Sequence, residues 1–156
     1  MSNQDINNLL TKIQERYLED VKIIGEEAQA ALLVESHRLL DALEFLKTNE
    51  SCQFDMLRNL TAVDYLEYIE VVYHLYSLPL HQSITVKTRC GMEDSQIPSA
   101  TVIWPSANFQ EREIYDLLGV TFTEHPDLRR ILLRDEFDGH PLRKTYKNGN
   151  AGKGGN

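Results

Sequence analysis

The feature that most constrains this chain is a change in the period of its apolar residues near residue 50. Before it, Ile6, Leu9, Leu10, Ile13 and Tyr17 recur at i, i+3, i+4, i+7, which places them on one helical face and predicts a helix over 4–18. Leu39, Leu40, Leu43 and Leu46 repeat that spacing in a second helix, with Ser36 as its cap and an end near Lys47. Between them, Val21, Ile23 and Ile24 and then Ala31 to Val34 flank Gly25-Glu26 and read as a hairpin. After residue 50 the period becomes two. Runs over 54–63, 68–77 and 83–89 are separated by short breaks, one of them Leu78-Pro79-Leu80. Ile69, Val71, Tyr73 and Leu75 share one face of the middle run, and Ile84, Val86 and Thr88 share one face of the last. Connections this short favour an antiparallel meander. The resulting order, α-β-β-α-β-β-β, predicts a two-layer α+β core with two helices on one face of a sheet.

Beyond 90 the regularity fades. A loop over 91–98 leads to a short extended segment over 100–104. Asn108 then caps a third helix, Glu111 supplies the second half of a capping box, and Gly119 stops it. Turns and short apolar runs follow, and 148–156 reads as a disordered tail. With 156 residues the chain is one domain. Residues 1–90 form an acidic body, and 91–147 form a helix plus an extended partner-binding segment of the same domain. No long-period repeat is present; the only echo is His125-Pro126-Asp127-Leu128-Arg129 against His140-Pro141-Leu142-Arg143.

Charge is uneven along the chain. Residues 1–127 carry 21 acidic and 9 basic side chains, whereas 128–156 carry 3 and 7. The overall charge of -8 repels a phosphate backbone, so nucleic acid is not an expected partner. Cys52 and Cys90 stand alone, with no Cys-x-x-Cys or Cys/His cluster, so neither an iron-sulfur cluster nor structural zinc is expected on this chain. The N-terminal region reads as neither a signal nor a transit peptide, and no apolar run is long enough to span a bilayer. A soluble protein of a reducing compartment is expected, with any membrane role reached through a partner.

The charged stretch from Glu111 to Lys147 holds the candidate chemistry. Glu111 falls inside the apolar arc of its helix; the preferred reading has it accept free amides at the helix start, and the alternative is a catalytic acid of raised pKa. Glu113 and Asp116 lie on the other flank, with Arg112 four before Asp116 as an intrahelical partner. Arg129, Arg130 and Arg134 are expected as counter-charges in preference to a phosphate site. Asp135, Glu136, Asp138 and His140 fail the calcium-loop register and lack a zinc-type His pair, so no metal is expected; a stand-alone metal-dependent hydrolase is the least favoured function. His125 and His140 precede prolines and are expected to bond backbone or carboxylates. His74 and His81 read as partly buried edges of the sheet. There is no nucleophile elbow and no Gly-rich nucleotide loop, so no catalytic or cofactor-binding residue is assigned. An Arg-rich, proline-fixed segment suits an interaction surface that orders fully only against another chain.

Glu111-Arg112-Glu113-Ile114-Tyr115-Asp116-Leu117-Leu118-Gly119, His125-Pro126-Asp127-Leu128-Arg129-Arg130-Ile131-Leu132 and Gly139-His140-Pro141-Leu142-Arg143-Lys144 closely resemble the thirty-kilodalton subunit family of respiratory complex I. In bacteria this is the C subunit of the proton-pumping NADH:quinone oxidoreductase. The order of elements in 1–90 is also similar to that family's fold. Glu124, where glycine is common, and Thr145, where an acid often follows Arg-Lys, depart from the pattern. The short tail after Tyr146 implies little wrapping by a C-terminal extension. The resemblance implies a non-catalytic subunit that braces the quinone-reducing module of the peripheral arm. Its neighbours would be the forty-nine-kilodalton subunit (the D subunit) and the small iron-sulfur subunit (the B subunit). FMN, iron-sulfur clusters and quinone would belong to other chains, and the complex would lie at the cytoplasmic face of the bacterial inner membrane. An equivalent subunit of a related membrane-bound hydrogenase or other-donor dehydrogenase is the alternative. Glu113, Asp116, Arg129, Arg130, Arg134, His140, Arg143 and Lys144 are then expected in ion pairs, within the segment or across the interface.

Overall fold

The computed structural model describes residues 3–26 and 29–146. The predicted tail over 148–156 lies outside them. Helix α1 (Asn3–Tyr17) leads into the hairpin β1 (Val21–Ile24) and β2 (Ala31–Val34). Ser36–Arg38 forms one 3-10 turn that feeds α2 (Leu39–Thr48). Ser36 therefore does not cap α2 as expected: Arg38 holds the cap position, and no side chain bonds there. The meander follows as β3 (Met56–Asp64), β4 (Tyr68–Ser77) and β5 (Gln82–Gly91).

These strands form one mixed sheet in the order β1-β2-β5-β4-β3. The meander is antiparallel, whereas β2 runs parallel to β5, with Leu32 opposite Val86. The parallel contact is possible because α2 lies in the connection between the hairpin and the meander. Period-two patterning sorts the two faces. Ile69, Val71, Tyr73 and Leu75 of β4 and Ile84, Val86 and Cys90 of β5 join Leu9, Leu10 and Ile13 of α1 and Leu39, Ala42, Leu43 and Leu46 of α2 in a single core. On the other face of β4, Glu70 is held between Lys87 Nζ at 3.2 Å and Arg89 Nε at 3.0 Å. Both cysteines are free and buried, and burial pushes each thiol up to about 11, so neither is a reactive thiolate.

The rest of the chain packs against this body. Residues 96–98 form β6 (Gln96–Pro98), which pairs in parallel with β7 (Thr121–Thr123) to make a second small sheet. The extended segment expected over 100–104 is instead a turn, in which Ile103 and Trp104 both donate to the Ala100 carbonyl. Helix α3 (Ala107–Leu118) crosses near the β3 edge, where the Gln110 side chain accepts the Leu60 amide at 2.7 Å. A helix laid over a free edge removes a site at which another strand could pair.

Candidate functional site

The charged segment after α3 is built around one unavoidable problem. The last four carbonyls of a helix have no partner within it, and the helix dipole leaves that end negative. Here every one is satisfied. Gly119 takes the left-handed conformation (φ 75) and returns its amide to Tyr115 O. Asp116 O accepts Arg130 Nη1 at 3.1 Å and His140 Nδ1 at 2.9 Å. Leu117 O accepts the Leu142 amide at 2.9 Å, and Leu118 O accepts Arg143 Nε. The carbonyl can only accept, so His140 carries its proton on Nδ1. Two guanidinium groups thus lie at the negative end of α3.

The same residues bind the segment to itself. The Asp116 carboxylate is fully buried and meets Arg130 Nη1 at 2.7 Å. It also accepts three successive amides, from Ile131 at 3.2 Å, Leu132 at 2.7 Å and Leu133 at 2.9 Å. Burial pushes its pKa up, but Arg130 and the three amides outweigh it and hold the carboxyl below its ordinary range. Arg130 Nη2 goes on to Phe137 O at 3.1 Å and Gly139 O at 2.8 Å, closing the loop between them. Arg143 reaches back to Met92 O at 2.9 Å and Ser95 Oγ at 3.1 Å. Asp64, at the end of β3, accepts Leu66 N–H with one oxygen and Lys144 N–H with the other. Burial again opposes ionisation of Asp64, and those amides overcome it.

Gly119 has a second duty. A Cβ there would lie 2.5 Å from His140 Cδ2, so glycine is needed both for the backbone and for the ring that packs on it. Glu124 also has a positive φ of 62, a conformation that glycine adopts without strain.

Several expectations need correction. Arg112 does not pair with Asp116; it donates to Arg129 O and Arg130 O, because the chain crossing α3 offers those carbonyls while Asp116 faces Arg130. The capping box is absent. Asn108 is the second residue of α3, and the turn before it already satisfies the first amides, Ala107 N donating to Trp104 O and Asn108 N to Pro105 O. Glu111 instead reaches Ser99 and Ala100. The hydrogen bonds of the segment given above are made within its own chain.

The named charges therefore divide. Asp116, Arg130, His140 and Arg143 are inward. Arg129, Arg134 and Glu113 are exposed; Arg129 meets only Asp127, at 3.0 Å, and Lys144 is anchored by its backbone with its side chain outside. Asp135, Glu136 and Asp138 are exposed too, and among the described residues no three His, Cys, Asp or Glu side chains are placed to hold a metal ion. His125 and His140 bond backbone as expected; His74 and His81 face Thr85 and Tyr76 on the sheet. No described helix is long and apolar enough to cross a membrane.

The geometry defines an α+β body carrying a C-terminal segment clasped to it, with Arg129, Arg134 and Lys144 exposed. Residues 32–151 match the family model described as respiratory-chain NADH dehydrogenase, 30 Kd subunit. The chain is 44% identical over 144 residues to the C subunit of NADH-quinone oxidoreductase from Moorella thermoacetica, covering 91% of this chain and 95% of that protein. It is 40% identical to the protein of the same name from Geobacter sulfurreducens, covering 90% and 88%. Among solved structures it is similar to a trypsin-resistant fragment of Nqo5, with TM-score 0.66 and 28% identity, covering 80% of this chain and 99% of the fragment. It is also similar to a chain of the membrane-bound sulfane sulfur reductase, an archaeal respiratory membrane complex. That match has TM-score 0.76 and 25% identity and covers 95% and 89% of the two chains. The chain belongs to the family of the 30 Kd subunit of respiratory-chain NADH dehydrogenase, and so to the subunits of complex I-type respiratory assemblies.

Proposed function

We propose that this subunit braces the quinone-reducing module in the peripheral arm of an NADH:quinone oxidoreductase, and has no catalytic activity of its own. The observation that carries this reading is identity of 44% to a C subunit of NADH-quinone oxidoreductase along nearly its whole length. The site agrees with it, since its buried charges hold the chain to itself and its exposed charges face outward. The chief neighbour is the forty-nine-kilodalton subunit, the D subunit, with the small iron-sulfur subunit, the B subunit, beside it. FMN, iron-sulfur centres and quinone in the other chains carry electrons from NADH, coupled to proton translocation, as in a translocase. The complex lies at the cytoplasmic face of the bacterial inner membrane, and this chain is held there through its partners.

The test is co-purification of the forty-nine-kilodalton subunit with full-length Arg129→Glu/Arg134→Glu and with Arg129→Glu/Arg134→Glu/Lys144→Glu. Reversing these exposed cations should reduce recovery while leaving the fold intact. Full recovery with the triple variant would contradict the assignment. Likeness to the sulfane sulfur reductase chain supports a second reading, a cognate subunit in a complex fed by another donor. A neighbouring gene for an NADH-binding flavin subunit decides for the first.

A further inference from the structure

Every buried charge of the clasp has a counter-charge or a row of amides, but one buried acid outside it has no cation. Glu111 is 0% exposed. Its Oε1 accepts the Ala100 amide at 2.6 Å and its Oε2 accepts the Ser99 hydroxyl at 2.7 Å. Facing it from β4 is Tyr73, fully buried, whose hydroxyl has no partner and is harder to ionise because of burial and of Glu111. From the chain after β7 comes His125, whose side chain is also fully buried and whose Nε2 lies 3.8 Å from Glu111 Oε2.

That His–Glu approach is not an ion pair. His125 Nδ1 accepts the Asp127 amide at 2.9 Å, so it carries no proton. Nε2 then carries the single proton of a neutral ring and donates it to Asn108 O at 3.1 Å. A second proton on His125 would set two donors against each other at Nδ1. The proton that neutralises this pocket therefore belongs on the carboxyl.

A route for that proton is present. Ser99 Oγ touches Glu111 Oε2 on one side and Thr101 Oγ1 on the other, at 2.8 Å, and Thr101 is only half-buried beside the exposed Val102. We propose that Glu111 is a buried proton-binding site, loaded and emptied through the Ser99–Thr101 hydroxyl pair. In loading, hydronium at the surface gives a proton to Thr101 Oγ1 and leaves as water, Thr101 passes its own to Ser99 Oγ, and Ser99 passes its own to Glu111 Oε2. Each hydroxyl gains one proton and loses one, so within the protein only the carboxylate changes charge. Burial supports this by lifting the Glu111 pKa from 4.5 to about 7, against the pull of the Ser99 and Ala100 bonds, so the site exchanges near neutral pH.

The sign of the linkage is definite. The folded form binds the proton more tightly than the unfolded form, so stability from this site is complete below about pH 4.5 and is lost as pH rises through about 7. The experiment is carbon NMR of the Glu111 carboxyl in the full chain from about pH 4 to 9, with Glu111→Gln for assignment. A midpoint near 7 is expected, and in Ser99→Ala a higher midpoint with slower proton exchange, since that hydroxyl both favours the charged form and carries the proton. A carboxyl with a midpoint below about 5 would overturn the site, and unchanged exchange in Ser99→Ala would overturn the route. Glu111→Gln should also abolish the decline in thermal stability between about pH 4.5 and 7; an unchanged decline would overturn the linkage.

Discussion

The five-stranded body and the segment over 128–146 become ordered by different means. In the body, alternating apolar residues stack on one sheet face under two helices, and side chains such as Leu43, Tyr73 and Val86 are wholly buried. In the segment no residue is fully buried and no strand or helix forms. Its shape comes from carboxylates and guanidinium groups that bond backbone, with Asp116 and Asp64 as fixed points and Arg130 and Arg143 as the straps. Burial of apolar surface is tolerant of exchange among similar side chains, whereas hydrogen-bonded charge in a half-buried setting depends on each partner.

The sharpest way to break that contrast is Arg130→Glu. It would place a second carboxylate against Asp116, and breaking so buried a pair costs on the order of 3–5 kcal/mol. Limited proteolysis should show the segment cut early while the sheet survives. Leu43→Ala tests the other side. It should cost about 2–5 kcal/mol, and the loss should appear as one lower thermal midpoint for the whole body. If Arg130→Glu instead lowered the stability of sheet and segment together, the two regions would be one cooperative unit. Glu124→Gly is the smallest effect and has the opposite sign. Relief of a left-handed glutamate should raise stability by about 1 kcal/mol, seen as a modest rise in thermal midpoint.

Acid should separate the regions as well. The folded pKa values of Asp116 and Asp64 are depressed, so their contribution is fully present above the ordinary aspartate range and is lost as pH falls below that range through the depressed folded values. Near-neutral titration of Glu111 runs the other way. The segment should loosen at acid pH before the sheet does, as judged by proteolysis.

How much of this was legible depended on range. Leucine and valine spacing revealed α1, α2 and the meander because each signal lies within its own element. β6 and β7 were missed because three-residue strands show no period, and each is completed by the other across α3. The parallel contact of β2 with β5 leaves no local trace either. Glu111 stands out in the apolar arc of its helix, but its partner Ser99 lies 12 residues away. For Asp116 helical spacing points to Arg112, while the downstream cluster offers Arg130 as a counter-charge 14 residues away; the fold selects Arg130. Gly119 was legible as a helix stop, but not as the floor for His140.

The segment is held by its own chain, through the carbonyl end of α3 and the Asp116 carboxylate. Hydrogen exchange on the isolated full-length chain tests it most directly. The amides of Ile131, Leu132, Leu133, Leu142 and Lys144 should be protected without any partner, and Arg130→Glu should release the first three. Exchange of all five at the rate of unstructured chain, beside a protected β4, would contradict the account.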